Sequence, residues 1–86
     1  MALNVSLVSA DAEVWSGEAS LVVAKTVLGE IGFMAGHEPV LAILAEGQVR
    51  ITQTDGTKVV ANAQDGFLSI ESDVVTIVAG NAALVA

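Results

Sequence analysis

The 86-residue chain has no cysteine and no tyrosine, one proline, one histidine and three basic residues. Each shortage removes a class of explanation. Without cysteine there is neither a disulfide framework nor a thiolate zinc site, so a small domain must be held by its core alone. That usage fits an intracellular setting. The aromatics are Trp15, Phe33 and Phe67, a poor wall for a sugar groove and a thin lining for a substrate pocket. A single histidine and no G-x-S-x-G elbow leave the usual acyl-transfer constellations unassembled. No H-x-H, H-E-x-x-H or calcium-loop spacing occurs, so no metal site is expected. Lys25, Arg50 and Lys58 face ten acidic residues, for a net charge of -7. That balance repels phosphate backbones and anionic lipid, which speaks against nucleic acid as a partner. It serves solubility, and it also suits a basic protein face. No apolar run approaches the roughly 18 residues of a membrane-spanning helix, and the N-terminus has neither a basic region nor a cleavage site. Membrane insertion and export are not expected.

What the chain does have is aliphatic bulk, with 53% hydrophobic residues rich in strand-favouring valine. Its length makes one domain, spanning 1–86, because a second would lack the chain to bury a core. Leu3, Val5 and Leu7 alternate with Asn4 and Ser6, the period of two of a half-buried strand. The pattern breaks over Ser9 to Ala12, resumes in Glu13-Val14-Trp15, and after Ser16-Gly17 becomes a continuous apolar run from Ala19 to Thr26. Ile31 to Met34 and Val40 to Leu44 read as further short strands, the second closed by Glu46-Gly47. In V-R-I-T-Q-T-D-G-T-K-V-V-A, residues 49 to 61, Asp55-Gly56 tolerates the positive φ of a tight hairpin. A two-residue loop there sets Ile51 opposite Val60 and Gln53 opposite Lys58, and a one-residue bulge shifts these pairs. Asp65-Gly66 opens a second hairpin that turns at Ser72-Asp73, and Gly80 to Ala86 is a small, featureless tail. No ten-residue window keeps a helical period. The expectation is an all-β fold, a flattened sandwich of about ten short strands.

One stretch does not reduce to strand or turn: G-E-I-G-F-M-A-G-H-E-P, residues 29 to 39. Read for turns alone, its glycines bend the chain, Ile31 and Phe33 point inward, and Glu30, His37 and Glu38 are solvated. Read for function, it is a stiff charged loop offered to a partner, where β scaffolds commonly carry their function. It is not a phosphate cradle, since G-x-x-x-x-G-K-[ST] is absent and the nearby charge is negative.

That stretch resembles the signature loop of the epsilon subunit of bacterial rotary ATP synthases. Leu3-Asn4-Val5-Ser6-Leu7-Val8, Val14-Trp15-Ser16-Gly17-Glu18-Ala19, Asp65-Gly66-Phe67-Leu68 and Val75-Thr76-Ile77-Val78-Ala79 are similar to the same domain in the same order, so the resemblance covers nearly the whole chain. It implies a flattened sandwich of about ten strands at the foot of the central stalk. One side is held by the gamma subunit, and the loop faces the polar loops of the c-ring. Carried over by position, Glu30 and His37 become c-ring contacts. Two departures stand out: Ala35 occupies a position where the family commonly has proline, and Gly80-Asn81 replaces an acidic residue after the last strand. The family usually continues into two helices that bind ATP and brake hydrolysis. No helical pattern begins before Ala86, so a C-terminal helical hairpin, a nucleotide site and an inhibitory role are not expected.

Trp15, Phe33 and Phe67 are expected in the core. An exposed Trp15, with Leu28 and Met34, would instead serve as an apolar anchor for gamma. The expected function is thus that of a non-catalytic rotor subunit on the cytoplasmic face of the bacterial plasma membrane, needing no cofactor. It links gamma to the c-ring of a proton-driven ATP synthase. The alternatives are a stand-alone β-sandwich binding module and a small hydrolase using His37.

Overall fold

The computed structural model describes residues 2–10 and 12–85. Met1, Asp11 and Ala86, which fall within the expected 1–86 unit, lie outside the described residues. The described residues form six strands: β1 (Leu3–Ser9), β2 (Ala12–Thr26), β3 (Gly29–Phe33), β4 (Val40–Gln53), β5 (Lys58–Glu71) and β6 (Val74–Leu84). Their order is β1-β6-β5-β4-β2-β3, and β1 also pairs with β2. Five strands therefore close on themselves, while β3 hangs from β2 as a flap. All neighbours are antiparallel except β1 and β6.

The fold is all-β, as the patterning predicts, but the strands are fewer and longer than the expected ten. Four of them run through two paired segments each. β2 pairs with β1 up to Ala19 and with β4 from there on. The β4–β5 ladder is open between Ile43↔Phe67 and Gly47↔Ala63, and the β5–β6 ladder between Gln64↔Asn81 and Gly66↔Ala79. So β1 and β3 give one paired segment each and β2, β4, β5 and β6 give two, which is why the sequence reads as a larger number of short pieces. Glu46-Gly47 and Asp65-Gly66 bend strands rather than ending them. Asp65 takes a φ of 59° at its bend, a value aspartate tolerates better than most residues. The tail is not featureless either, because Ala82, Ala83 and Leu84 pair with Ala63, Asn62 and Ala61.

Alternation decides what goes inside. Leu3, Val5 and Leu7 are buried, as are Val22, Ala24, Phe33, Val49, Ile51, Leu68, Ile70, Val75 and Ile77. Each buried valine, leucine or isoleucine contributes roughly 1.5–3 kcal/mol. Thr26 is the buried polar side chain among them; its hydroxyl donates to the Gly29 carbonyl (2.8 Å) and accepts from the Leu28 N–H (3.1 Å), closing the β2–β3 turn.

Trp15 is half-buried and packs against the core, its ring lying over Gly17. Phe67 corrects the core assignment. It is 39% exposed, because it alternates with Leu68 and Ile70, whose side chains take the inner face.

The Asp55-Gly56 hairpin has the bulged register, with Ile51 opposite Val59 and Thr52 opposite Lys58. The Gly56 N–H donates to the Gln53 carbonyl (2.9 Å), the Gln53 N–H to the Thr57 carbonyl (2.8 Å), and Gly56 has a φ of 90°. This is a three-residue loop with glycine in the left-handed position, one of the common hairpin closures. The Thr57 N–H also donates to Asp55 Oδ1 (2.9 Å), and hydrogen bonds from the Thr57 backbone and side chain hold the Asp55 carboxyl below its ordinary value of 3.8. A folded pKa below the unfolded one contributes stability above about 3.8 and loses it as pH falls through the folded value. Acidification below that point should therefore lower the protection of the Thr57 amide relative to its intrinsic exchange rate, followed by NMR. In Asp55→Asn that pH dependence disappears.

Candidate functional site

Stretch 29–39 contains β3 and the loop joining it to β4. Gly36 has a φ of 88°, and the His37 N–H donates to the Met34 carbonyl at 3.2 Å. Met34 to His37 is thus a four-residue turn whose third position needs a positive φ, as in a type II turn. Ala35 fills the second position, which proline pre-sets best, so the loop gives up that stiffening.

Other contacts replace it. The Gly36 N–H donates to Asp73 Oδ1 at 2.7 Å across the fold. The His37 ring meets the buried Phe33 ring edge-on, with centroids 5.0 Å apart and 61° between planes. His37 Nδ1 donates to the Glu38 carbonyl at 2.7 Å; since a carbonyl only accepts, the proton sits on Nδ1 and Nε2 is left for another partner. Half-buried His37 is therefore held from below and aimed by its own loop.

Glu30 lies at the other end of β3 and is exposed. Its Oε2 accepts from Arg50 Nη2 at 2.7 Å, and Lys25 is its cross-strand partner. One of the three basic residues is thus paired with this carboxylate on an otherwise acidic chain. Both members of the ion pair are about half exposed, so it is worth at most about 1 kcal/mol and exchanges readily for an outside partner. Among the described residues no hydrogen bond or ion pair joins Glu30 to His37; the strand itself keeps them apart on one margin of the fold.

The three expected gamma anchors sit on separate stretches. Trp15 is on the part of β2 that pairs with β1, opposite Leu7. Leu28, 89% exposed, tips the β2–β3 turn, and the exposed Met34 starts the β3–β4 loop. Sequence reasoning missed a more continuous feature. Ile43, Phe67, Val78 and Val8 are successive partners across β4, β5, β6 and β1, forming one outward apolar row with exposed Leu41 and Val27 nearby. Alternation alone could have found it, because Leu41 and Ile43 flank inward Ala42 just as Phe67 flanks inward Leu68.

The hydroxyls of Ser9, Ser20 and Thr26 donate to backbone carbonyls, and among the described residues no hydrogen bond joins a hydroxyl to His37. Among the described residues no three His, Cys, Asp or Glu side chains cluster for a metal ion, and no helix is long and apolar enough to cross a membrane. An open depression of about 460 Å³ on the β4–β5–β6 face is floored by Gly47, Ala63 and Ala82 and edged by Glu46, Gln64 and Asn81.

A bent-strand sandwich with a tethered charged loop and an outward apolar row defines a scaffold equipped for protein contact. Comparison with known proteins specifies the kind. Residues 2–85 match the family model of the ATP synthase, Delta/Epsilon chain, beta-sandwich domain, and the chain belongs to this family. The ATP synthase epsilon chain of Micrococcus luteus is 50% identical over 82 residues, covering 95% of this chain and 90% of that one. That of Streptomyces coelicolor is 51% identical over 77 residues, covering 90% and 62%, and that of Corynebacterium diphtheriae 54% over 78 residues, covering 90% and 63%. The chain thus spans less than two thirds of the length of the last two relatives. A chain in the cryo-EM structure of Euglena gracilis mitochondrial ATP synthase (OSCP/F1/c-ring in rotational state 1) superposes with a TM-score of 0.91 at 25% identity, covering 96% of this chain and 53% of that one. One in the central stalk/c-ring structure of the Tetrahymena thermophila mitochondrial enzyme gives 0.76 at 15% identity, covering 93% and 64%, a likeness of fold alone.

Proposed function

We propose that this chain is a non-catalytic rotor subunit of a proton-translocating ATP synthase, holding the gamma subunit against the c-ring so that torque from proton flow reaches the catalytic head without slipping. It works as one β-sandwich domain over 1–86, peripheral to the cytoplasmic face of the bacterial plasma membrane. Its chemistry is contact. Glu30 and His37 meet the polar loops of the ring, and Trp15, Leu28 and Met34 contribute to the gamma side. The row of Ile43, Phe67, Val78 and Val8 supplies the kind of uncovered apolar area that a stalk contact needs.

The observation that carries this reading is the margin formed by β3 and its loop, with an exposed carboxylate at one end and a tethered histidine at the other. Relatives whose matches run across this stretch are ATP synthase epsilon chains. Basic or amide groups of a ring loop would displace Arg50 from Glu30, and little stability is lost in the exchange.

The test is titration of a purified gamma–c-ring subcomplex with the domain. Glu30→Lys should weaken binding about tenfold or more at low salt, with a shallower salt dependence and an unchanged unfolding midpoint. Undiminished binding by that variant removes Glu30 from the contact. A wild-type domain that does not bind the subcomplex at all returns the chain to the class of independent binding modules.

A further inference from the structure

We propose that Asp73, which lies outside the signature stretch, is the positioning residue of the β3–β4 loop and fixes how His37 is presented. The use of that loop rests on the docking reading above; the clasp itself rests on geometry. Ser72 and Asp73 form the β5–β6 turn with φ values of 50° and 63°, and Glu71 and Val74 pair on either side. Two consecutive left-handed residues are the mark of a type I′ hairpin, whose twist matches the strands it joins. The Asp73 carbonyl accepts from the Asn4 N–H at 2.8 Å, so the turn is also tied to β1. The carboxylate therefore projects from a corner fixed by two ladders.

From that corner Asp73 Oδ1 reaches Gly36, 37 residues away, at 2.7 Å. A charge-assisted bond of this length is stronger than the local closure of the loop, the 3.2 Å bond from His37 to Met34. It also holds the residue whose positive φ sets the turn. With Ala35 at the second turn position, the stiffness that proline would supply has to come from elsewhere, and the clasp supplies it. A loop ordered beforehand costs less entropy on docking, which raises affinity without a new contact.

Two substitutions separate the clasp from the turn. Asp73→Gly keeps the left-handed conformation and removes the acceptor; Asp73→Asn keeps both conformation and acceptor oxygen. By NMR, exchange of the Gly36 amide should accelerate at least about fivefold in Asp73→Gly, the factor one modest hydrogen bond is worth, and stay near wild type in Asp73→Asn. The unfolding midpoint should change little in either. Affinity for the gamma–c-ring subcomplex should fall by a similar factor in Asp73→Gly and recover in Asp73→Asn. Unchanged Gly36 exchange in Asp73→Gly overturns the clasp. Faster exchange with undiminished ring affinity, while Glu30→Lys still loses binding, overturns the positioning role and leaves the docking reading intact. If the wild-type domain does not bind the subcomplex, the docking reading fails, and the exchange ratio alone decides whether Asp73 orders the loop.

Discussion

Gly66→Ala should leave the domain unfolded or close to it. The methyl would be driven into the backbone of β6, against the Val78 carbonyl oxygen and 2.6 Å from the Ala79 Cα. Neither neighbour is the free end of a side chain. Gly66 pairs with Ala79 immediately beside the bend where β5 and β6 pass from one half of the sandwich to the other, and relief would require separating the two strands there. A backbone clash without an easy escape belongs among the large single-residue effects, above about 3 kcal/mol, against a total of about 5–15 kcal/mol for a typical domain. The matched control is Gly32→Ala, whose methyl would make ordinary 3.8 Å contacts with Leu21 and Val23 and should shift stability by less than about 1 kcal/mol. Urea unfolding of both variants measures the contrast; a Gly66→Ala midpoint near wild type would show that the bend can open.

The second large effect belongs to Phe33. Its side chain is fully buried among the core residues of β2 and its neighbours, and Phe33→Ala should cost about 3–5 kcal/mol. In a domain of this size that lowers Tm by about 12 °C or more. The loss does not stop at the core, because the same ring carries the edge-on contact to His37, worth about 0.5–1.5 kcal/mol beyond burial. Phe33→Leu keeps most of the fill and removes the aromatic edge. It should therefore retain the fold in thermal unfolding while the His37 ring signals move toward those of a freely rotating imidazole. His37 signals unmoved in Phe33→Leu would mean that the loop, and not the core, sets the ring.

The parts of this architecture that were legible in the sequence are the ones set by neighbours in the chain. Leu3, Val5 and Leu7 announced β1 by alternation, and Ser72-Asp73 announced a turn as a pair of turn-favouring polar residues between two apolar runs. Asp55-Gly56 marked its hairpin too, but the pairing moved by one residue because Gly56 forms a bulge, which dipeptide chemistry alone does not settle. Glu46-Gly47 and Asp65-Gly66 carried ordinary breaking signals. They became bends because strands on both sides continued to find partners, a tertiary outcome that overrides local preference. Phe67 was misplaced by weighing its size above its parity. The contacts of Arg50 with Glu30 and of Asp73 with Gly36 connect residues far apart in the chain and leave no trace in either local pattern. At the candidate site, Glu30 and His37 stood out as residues, whereas what holds and flanks them emerged only from the fold.

The parallel seam between β1 and β6 sets a schedule for synthesis. Of the six strands β1 is made first, and it can pair with β2 early, yet its other edge waits until Val74–Ala79 has left the ribosome, because Asn4 through Ser9 match those residues one by one. Until then the nascent chain carries an unfinished margin able to accept a strand from a neighbouring chain. Closing it joins residues at opposite ends of the sequence, the slowest kind of contact to find. The pairing that seals the sandwich is thus the last to become available among its six strands.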